Sequence, residues 1–171
     1  MKIRFRAFVP FALIALAAYG GDDRNRFRAE LVGTQETPAI FTAGSGTLIL
    51  NIADHDSRID FQLTWENLSG PPGAAHVHFG QRNAAGGVSF FFCGGSTKPA
   101  CPATTSGAIS GSVGAADVIG PAAQGIAPGN LAAIIEMMRA GFTYGNMHTV
   151  AHPAGEIRGQ LKGRGDGDRD D

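Results

Sequence analysis

The sequence predicts a mainly β fold: a Greek-key β-sandwich or flattened barrel of about eight short strands, with one short helix at about residues 130–140. Three observations carry this. Ile59, Phe61, Leu63 and Trp65 alternate with Asp60, Gln62 and Thr64, the period-2 pattern of a half-buried strand. Similar short alternating stretches recur along the chain, separated by turn residues that include many of its 25 glycines and 9 prolines. Only one stretch repeats its apolar residues at helical spacing.

The elements follow in order. Phe27 to Leu31 alternates, and Gly46 to Ile52 places Leu48, Leu50 and Ile52 on one face. The Asp54-His55-Asp56-Ser57 turn then joins that strand to Ile59–Trp65 as a hairpin, with His55 in solvent. Asn67 to Gly73, with two prolines and two glycines, reads as a loop and feeds the segment Ala75-His76-Val77-His78-Phe79. Gly87 to Phe92 is a further strand and Ser106 to Val113 a glycine-rich weaker one. After the turn Pro128-Gly129-Asn130, Leu131, Ile134, Ile135 and Met138 recur at i, i+3, i+4 and i+7, a core-facing helical stripe that Gly141 ends. Phe142–His148 and Glu156–Leu161 complete the strands.

The N-terminus reads as a targeting segment. Lys2, Arg4 and Arg6 precede an apolar run from Ala7 to Ala18, with small residues at Ala15 and Ala17. Residues 1–18 are therefore expected to be a signal peptide and 19–26 a linker to a single domain over 27–162. The glycine- and charge-rich stretch 163–171 is expected to be a disordered tail. Removing the signal leaves eleven Lys and Arg against fifteen Asp and Glu, a net charge of −4. That mild acidity excludes sequence-independent nucleic-acid binding, which needs a basic face. The expected product is secreted or periplasmic, with no membrane association after cleavage. Cys93 and Cys101, the only cysteines, read as a disulfide in an oxidising compartment; a pair of thiolate ligands for Cu(I) is the rival reading.

Four of the five histidines fall in two segments: His76 and His78, and His148 and His152. Residues i and i+2 of a strand share a face about 7 Å apart at Cα, so two imidazoles of one strand can converge on one ion. If the second segment packs beside the first, His76, His78 and His148 form a surface set of neutral nitrogen donors for copper or zinc, with His152 as an optional fourth. Glu156 and Arg158 would stand behind them and orient an imidazole through its other nitrogen. The competing reading makes these histidines scaffold, tying strands to loop carbonyls or to Glu156. No nucleophile elbow, phosphate loop or dinucleotide fingerprint appears, so no enzymatic activity is expected.

Several blocks resemble a known family. Ala29-Glu30-Leu31-Val32-Gly33-Thr34-Gln35-Glu36-Thr37-Pro38, Ala75-His76-Val77-His78, Tyr144-Gly145-Asn146-Met147-His148-Thr149 and Gly155-Glu156-Ile157-Arg158-Gly159-Gln160-Leu161 are similar to a CHRD domain. This module was first recognised in the developmental protein chordin and is widespread in secreted bacterial proteins. The Cys93–Cys101 insert is similar to that of many bacterial members. The resemblance implies an extracellular binding or interaction module with no established general reaction. Chordin's antagonism of growth factors does not carry over, because its cysteine-rich modules are absent. A structural or adhesive module that engages another extracellular or envelope protein is the alternative. Gly145 stands where members of the family usually have an apolar residue, and a packing gap is expected there. A weaker likeness, of His76-Val77-His78-Phe79-Gly80 to the copper-binding strand of Cu/Zn superoxide dismutase, implies metal redox chemistry; the zinc loop of that enzyme has no counterpart.

Overall fold

The computed structural model describes residues 23–95 and 97–163. Within them run nine strands: β1 (Arg26–Val32), β2 (Ser45–Ala53), β3 (Arg58–Glu66), β4 (Pro72–Phe79), β5 (Gly87–Cys93), β6 (Gly107–Val113), β7 (Thr143–Thr149), β8 (Ile157–Gln160) and β9 (Lys162–Gly163). One helix, α1 (Leu131–Arg139), precedes β7. The expected signal peptide and most of the expected tail lie outside the described residues. Gly163 does not: as part of β9 it pairs with Phe27. No helix among the described residues is long and apolar enough to cross a membrane.

All the pairings are antiparallel, in the order β5-β4-β7-β8-β1-β2-β3-β6, with β9 beside β1. The period-2 residues explain the curl of this sheet. Phe27, Ala29 and Leu31, then Leu48, Leu50 and Ile52, then Ile59, Phe61, Leu63 and Trp65 are all buried on its inner face. Ala75, Val77, Met147 and Ile157 join the same core. Each large apolar side chain so buried contributes about 1.5–3 kcal/mol, which drives the sheet to wrap around them. Across the seam between the end strands β5 and β6, the ring of Phe92 on β5 stands 4.7 Å from that of Phe61 on β3, the neighbour of β6. The result is a nearly closed barrel. α1 buries Leu131, Ile134, Ile135 and Met138, the stripe read from spacing. The Asn130 side chain caps it by accepting from the Ala133 N–H at 3.1 Å.

The expected strands and helix are present, with three corrections. Pro72 and Gly73 belong to β4 rather than to a loop: proline is tolerated as the first strand residue, where the missing N–H breaks no ladder. The single strand expected over 156–161 is two, interrupted at Leu161: β8 lies between β7 and β1 and pairs with both, whereas β9 pairs with β1. Gly145 leaves no gap, since a Cβ there would meet Leu48 Cδ2 at 2.7 Å and Leu31 Cδ2 at 3.3 Å. The two leucines already fill the space that a larger residue would take. Cys93 and Cys101 form a disulfide, which closes the loop after β5 and leaves no thiolates there for Cu(I).

Candidate metal centre

On β4 and β7 the inner face is apolar, and the outer face carries His76, His78, Tyr144, Asn146 and His148. Cross-strand register places them together: His76 faces Asn146, His78 faces Tyr144, and Ala74 faces His148. His76 also lies opposite Phe91 of β5, and Asn146 opposite Arg158 of β8. The diagonal between His76 and His148 is short, with ring centroids 4.6 Å apart, and His76 and His78 are 4.5 Å apart.

This outer face is not the open surface expected from the sequence. His76 is 5% and His78 9% exposed, and Arg158 and Tyr144 are buried as well. The cover comes from Phe91, whose ring meets His76 edge-on at 5.0 Å, and from the loop between β4 and β5. Arg158 fastens that loop by donating to Gln81 O at 3.0 Å and Ala84 O at 2.9 Å. Its guanidinium carbon sits 3.6 Å above the centre of the Tyr144 ring, which stacks on His78 at 4.6 Å and 8°. The column Arg158–Tyr144–His78 thus runs along the outside of the sheet.

Backbone carbonyls fix two of the tautomers. His78 Nδ1 lies 2.8 Å from Gly86 O, and His148 Nδ1 lies 3.0 Å from Pro153 O. A carbonyl only accepts, so each Nδ1 carries the proton and each Nε2 keeps a lone pair. A Cβ on Gly86 would stand 1.8 Å from Phe79 O, so only glycine lets this carbonyl come so close to His78. His76 Nδ1, His78 Nε2 and His148 Nε2 are all buried with no hydrogen-bond partner. One ring nitrogen from each of the three histidines lies within 4.8 Å of the others. Three donors bound to one ion at about 2.0–2.1 Å stand closer than this, so modest ring rotation would complete the site.

Charge favours the same chemistry. Burial and the mutual presence of His78 and His148 hold His76 down to about 2. Burial takes His78 down to about 4 against the opposing Gly86 hydrogen bond, and also lowers His148. All three are therefore neutral at pH 7, the form in which imidazole ligates.

The remaining expected residues separate from the group. His152 sits in the turn after β7, half-buried, and is not among the three converging rings. Glu156 does not orient an imidazole. It is wholly buried and accepts from Thr42 Oγ1 at 2.7 Å, Ser69 N at 2.8 Å, Ser69 Oγ at 2.6 Å and Thr149 Oγ1 at 2.6 Å. Burial pushes this carboxyl up, and the bonds from Ser69, Thr149 and Thr42 outweigh it and hold it below the usual range. Arg158 acts through Tyr144, not by hydrogen-bonding a histidine. Sequence reasoning missed Tyr144, Phe91 and Glu36, since none carries ligand chemistry in a pattern of its own. Glu36 accepts from Asn146 Nδ2 at 2.6 Å, and burial raises it to about 7 against the pull of Asn146 and Arg158.

The CHRD domain family model matches residues 27–161, which takes in every strand of this arrangement but the last. The chain belongs to the CHRD family. No curated protein and no solved structure gives a significant match. The motif residues of this CHRD domain nevertheless have visible physical work. Tyr144, Asn146 and His148 build the outer face of β7, Thr149 and Glu156 knot three loops, and Arg158 closes the cover over His78.

Proposed function

We propose that this CHRD domain is a secreted, non-catalytic binding protein that holds copper or zinc through His76, His78 and His148. One observation carries the reading: three neutral imidazoles converge, each with a buried ring nitrogen that nothing in the fold satisfies. A buried donor or acceptor without a partner costs about 1–3 kcal/mol, and a fold rarely bears three at one spot without a ligand to satisfy them. Imidazoles without carboxylate suit transition metals and are poor ligands for calcium or magnesium. The apolar N-terminal run and the Cys93–Cys101 disulfide support an oxidising, extracytoplasmic location. Titration of the disulfide-intact protein with Cu(II) and Zn(II), beside the His76→Ala/His78→Ala double variant, tests the reading. Stoichiometric binding lost in the variant is expected. Affinity no tighter than about millimolar would remove the metal from the function and leave the histidines as scaffold.

A second reading, a module that engages an extracellular or envelope protein, is favoured by Phe41 and Val150, which are 104% and 88% exposed. Each adjoins a threonine held by Glu156, so one carboxylate presents both side chains. Residues 37–53, 67–80 and 145–155 contain no charged residue, which suits an apolar, uncharged protein surface. A Phe41→Ser/Val150→Ser variant that keeps its stability while losing capture of an envelope protein retained by the parent chain would favour this reading; equal capture would end it.

A further inference from the structure

The proposed site differs from ordinary zinc and copper(II) sites in what surrounds it. We infer that its resident ion is monovalent copper, Cu(I), held by three neutral imidazoles; this rests on the metal-binding reading above. Among the described residues, no Asp or Glu oxygen belongs to the group of converging ligand atoms. The nearest fixed charge along the ring column is positive, since Arg158 stacks on Tyr144 and Tyr144 on His78. The Glu36 carboxylate accepts from Asn146 Nδ2 at 2.6 Å and does not belong to the converging ligand set.

A divalent ion would bring two positive charges into a buried place whose converging ligands carry no negative charge to offset them. Zinc in a three-histidine site keeps a fourth position for water or an anion. Here Phe91 packs against His76 and Tyr144 against His78, and both histidines are buried, which leaves little access for an external fourth ligand. Cu(I) has a filled d shell, accepts three-coordinate nitrogen ligation and carries a single charge. It is the first-row ion whose demands this donor set meets without a further ligand.

The test is competition binding on the full chain with its disulfide intact and no free thiol by assay. Cu(I) is generated anaerobically with ascorbate and competed against bicinchoninate. Cu(II) and Zn(II) are competed against chromophoric chelators of known affinity. The expected result is one equivalent of Cu(I) bound at least about 100-fold tighter than Zn(II), lost in His78→Gln and His148→Gln variants shown by circular dichroism to be folded. Equal or tighter binding of Zn(II) or Cu(II) overturns the inference and leaves the metal-binding reading standing. Failure of all three ions removes both. A Phe91→Asp variant supplies the missing negative charge beside His76. It should raise Zn(II) affinity relative to Cu(I) by at least about tenfold, and an unchanged ratio would overturn the charge argument.

Discussion

Two buried polar clusters sit at the ends of neighbouring side chains on β7, and they are built on opposite principles. Thr149 belongs to the cluster around Glu156, where both carboxylate oxygens accept two hydrogen bonds each. His148 belongs to the histidine cluster, where three ring nitrogens accept none. Both are removed from water, so the difference is one of completeness. The carboxylate has everything a buried charge needs from its own fold, and this marks it as scaffold. His78 and His148 are tied at Nδ1 to Gly86 and Pro153, and a nitrogen of each of the three rings is left without a partner, which marks them as preorganised for something the chain does not supply.

The largest effect should come from the complete cluster. Glu156→Ala strips partners from Thr42, Ser69 and Thr149 at once and frees three loops. It should lower unfolding stability by about 4 kcal/mol in urea titrations, since each orphaned donor costs about 1–3 kcal/mol. His148→Ala, which removes a ring that gives the apo fold one hydrogen bond, should cost far less. Equal losses would erase the distinction between scaffold and site.

Acid should act next, and on the incomplete cluster. In the metal-free protein His76 and His78 titrate far below their unfolded value of 6.5. The unfolded chain therefore binds protons first, so stability is full above about pH 6.5 and falls as pH drops towards 4. His78 alone accounts for about 3 kcal/mol by pH 4. Glu36 runs the other way, because its raised value lets the folded state take up a proton between about 7 and 4.5. The parent chain should show a shallow acid slope and Glu36→Gln a steeper one in denaturation midpoints between pH 7 and 4. Parallel slopes would mean that Glu36 is not held as its burial implies.

Metal should then narrow the contrast by completing the second cluster. An ion that binds only the folded state at about 100 times its Kd adds about 2.7 kcal/mol. Thermal scans with Cu(I) under anaerobic conditions should show that gain in the parent and in Glu36→Gln, and lose it in His76→Ala. A gain that survives His76→Ala would place the ion elsewhere.

The strands were legible because alternation and turn chemistry are local and redundant, whereas the packing of the two histidine segments side by side stood only as a condition that the β4–β7 pairing meets. The i, i+2 rule put His76 and His78 on one face, and the helical stripe of Leu131 to Met138 was read residue for residue. What the sequence did not disclose was burial of the outer face. Alternation assigns one face to the core and leaves the other to water, yet here Phe91, Arg158 and the 80–86 loop cover the second face too. The role of Glu156 was misjudged for a related reason. Its partners Thr42 and Ser69 lie 114 and 87 positions away, and nothing in a lone threonine or serine signals a distant carboxylate. Gly145 misled in the opposite direction, because its missing side chain is filled from across the core by Leu48 and Leu31.

The smallest expected effect is also the one that separates the two clusters most cleanly. If the His76 ring is kept for a ligand and not for the fold, an apolar replacement of similar size should cost the metal-free protein nothing. His76→Leu removes a buried Nδ1 that has no partner while keeping the packing against Phe91, His78 and His148. Removing an unsatisfied polar group without opening a cavity is neutral or stabilising, here by about 1 kcal/mol. The analogous apolar change at Glu156 orphans three partners and destabilises by several times that amount. Urea midpoints of His76→Leu in the presence of a chelator should therefore equal or exceed those of the parent, while metal binding disappears. A destabilised His76→Leu variant would show that the ring serves the fold, and the histidine cluster would then join Glu156 as scaffold.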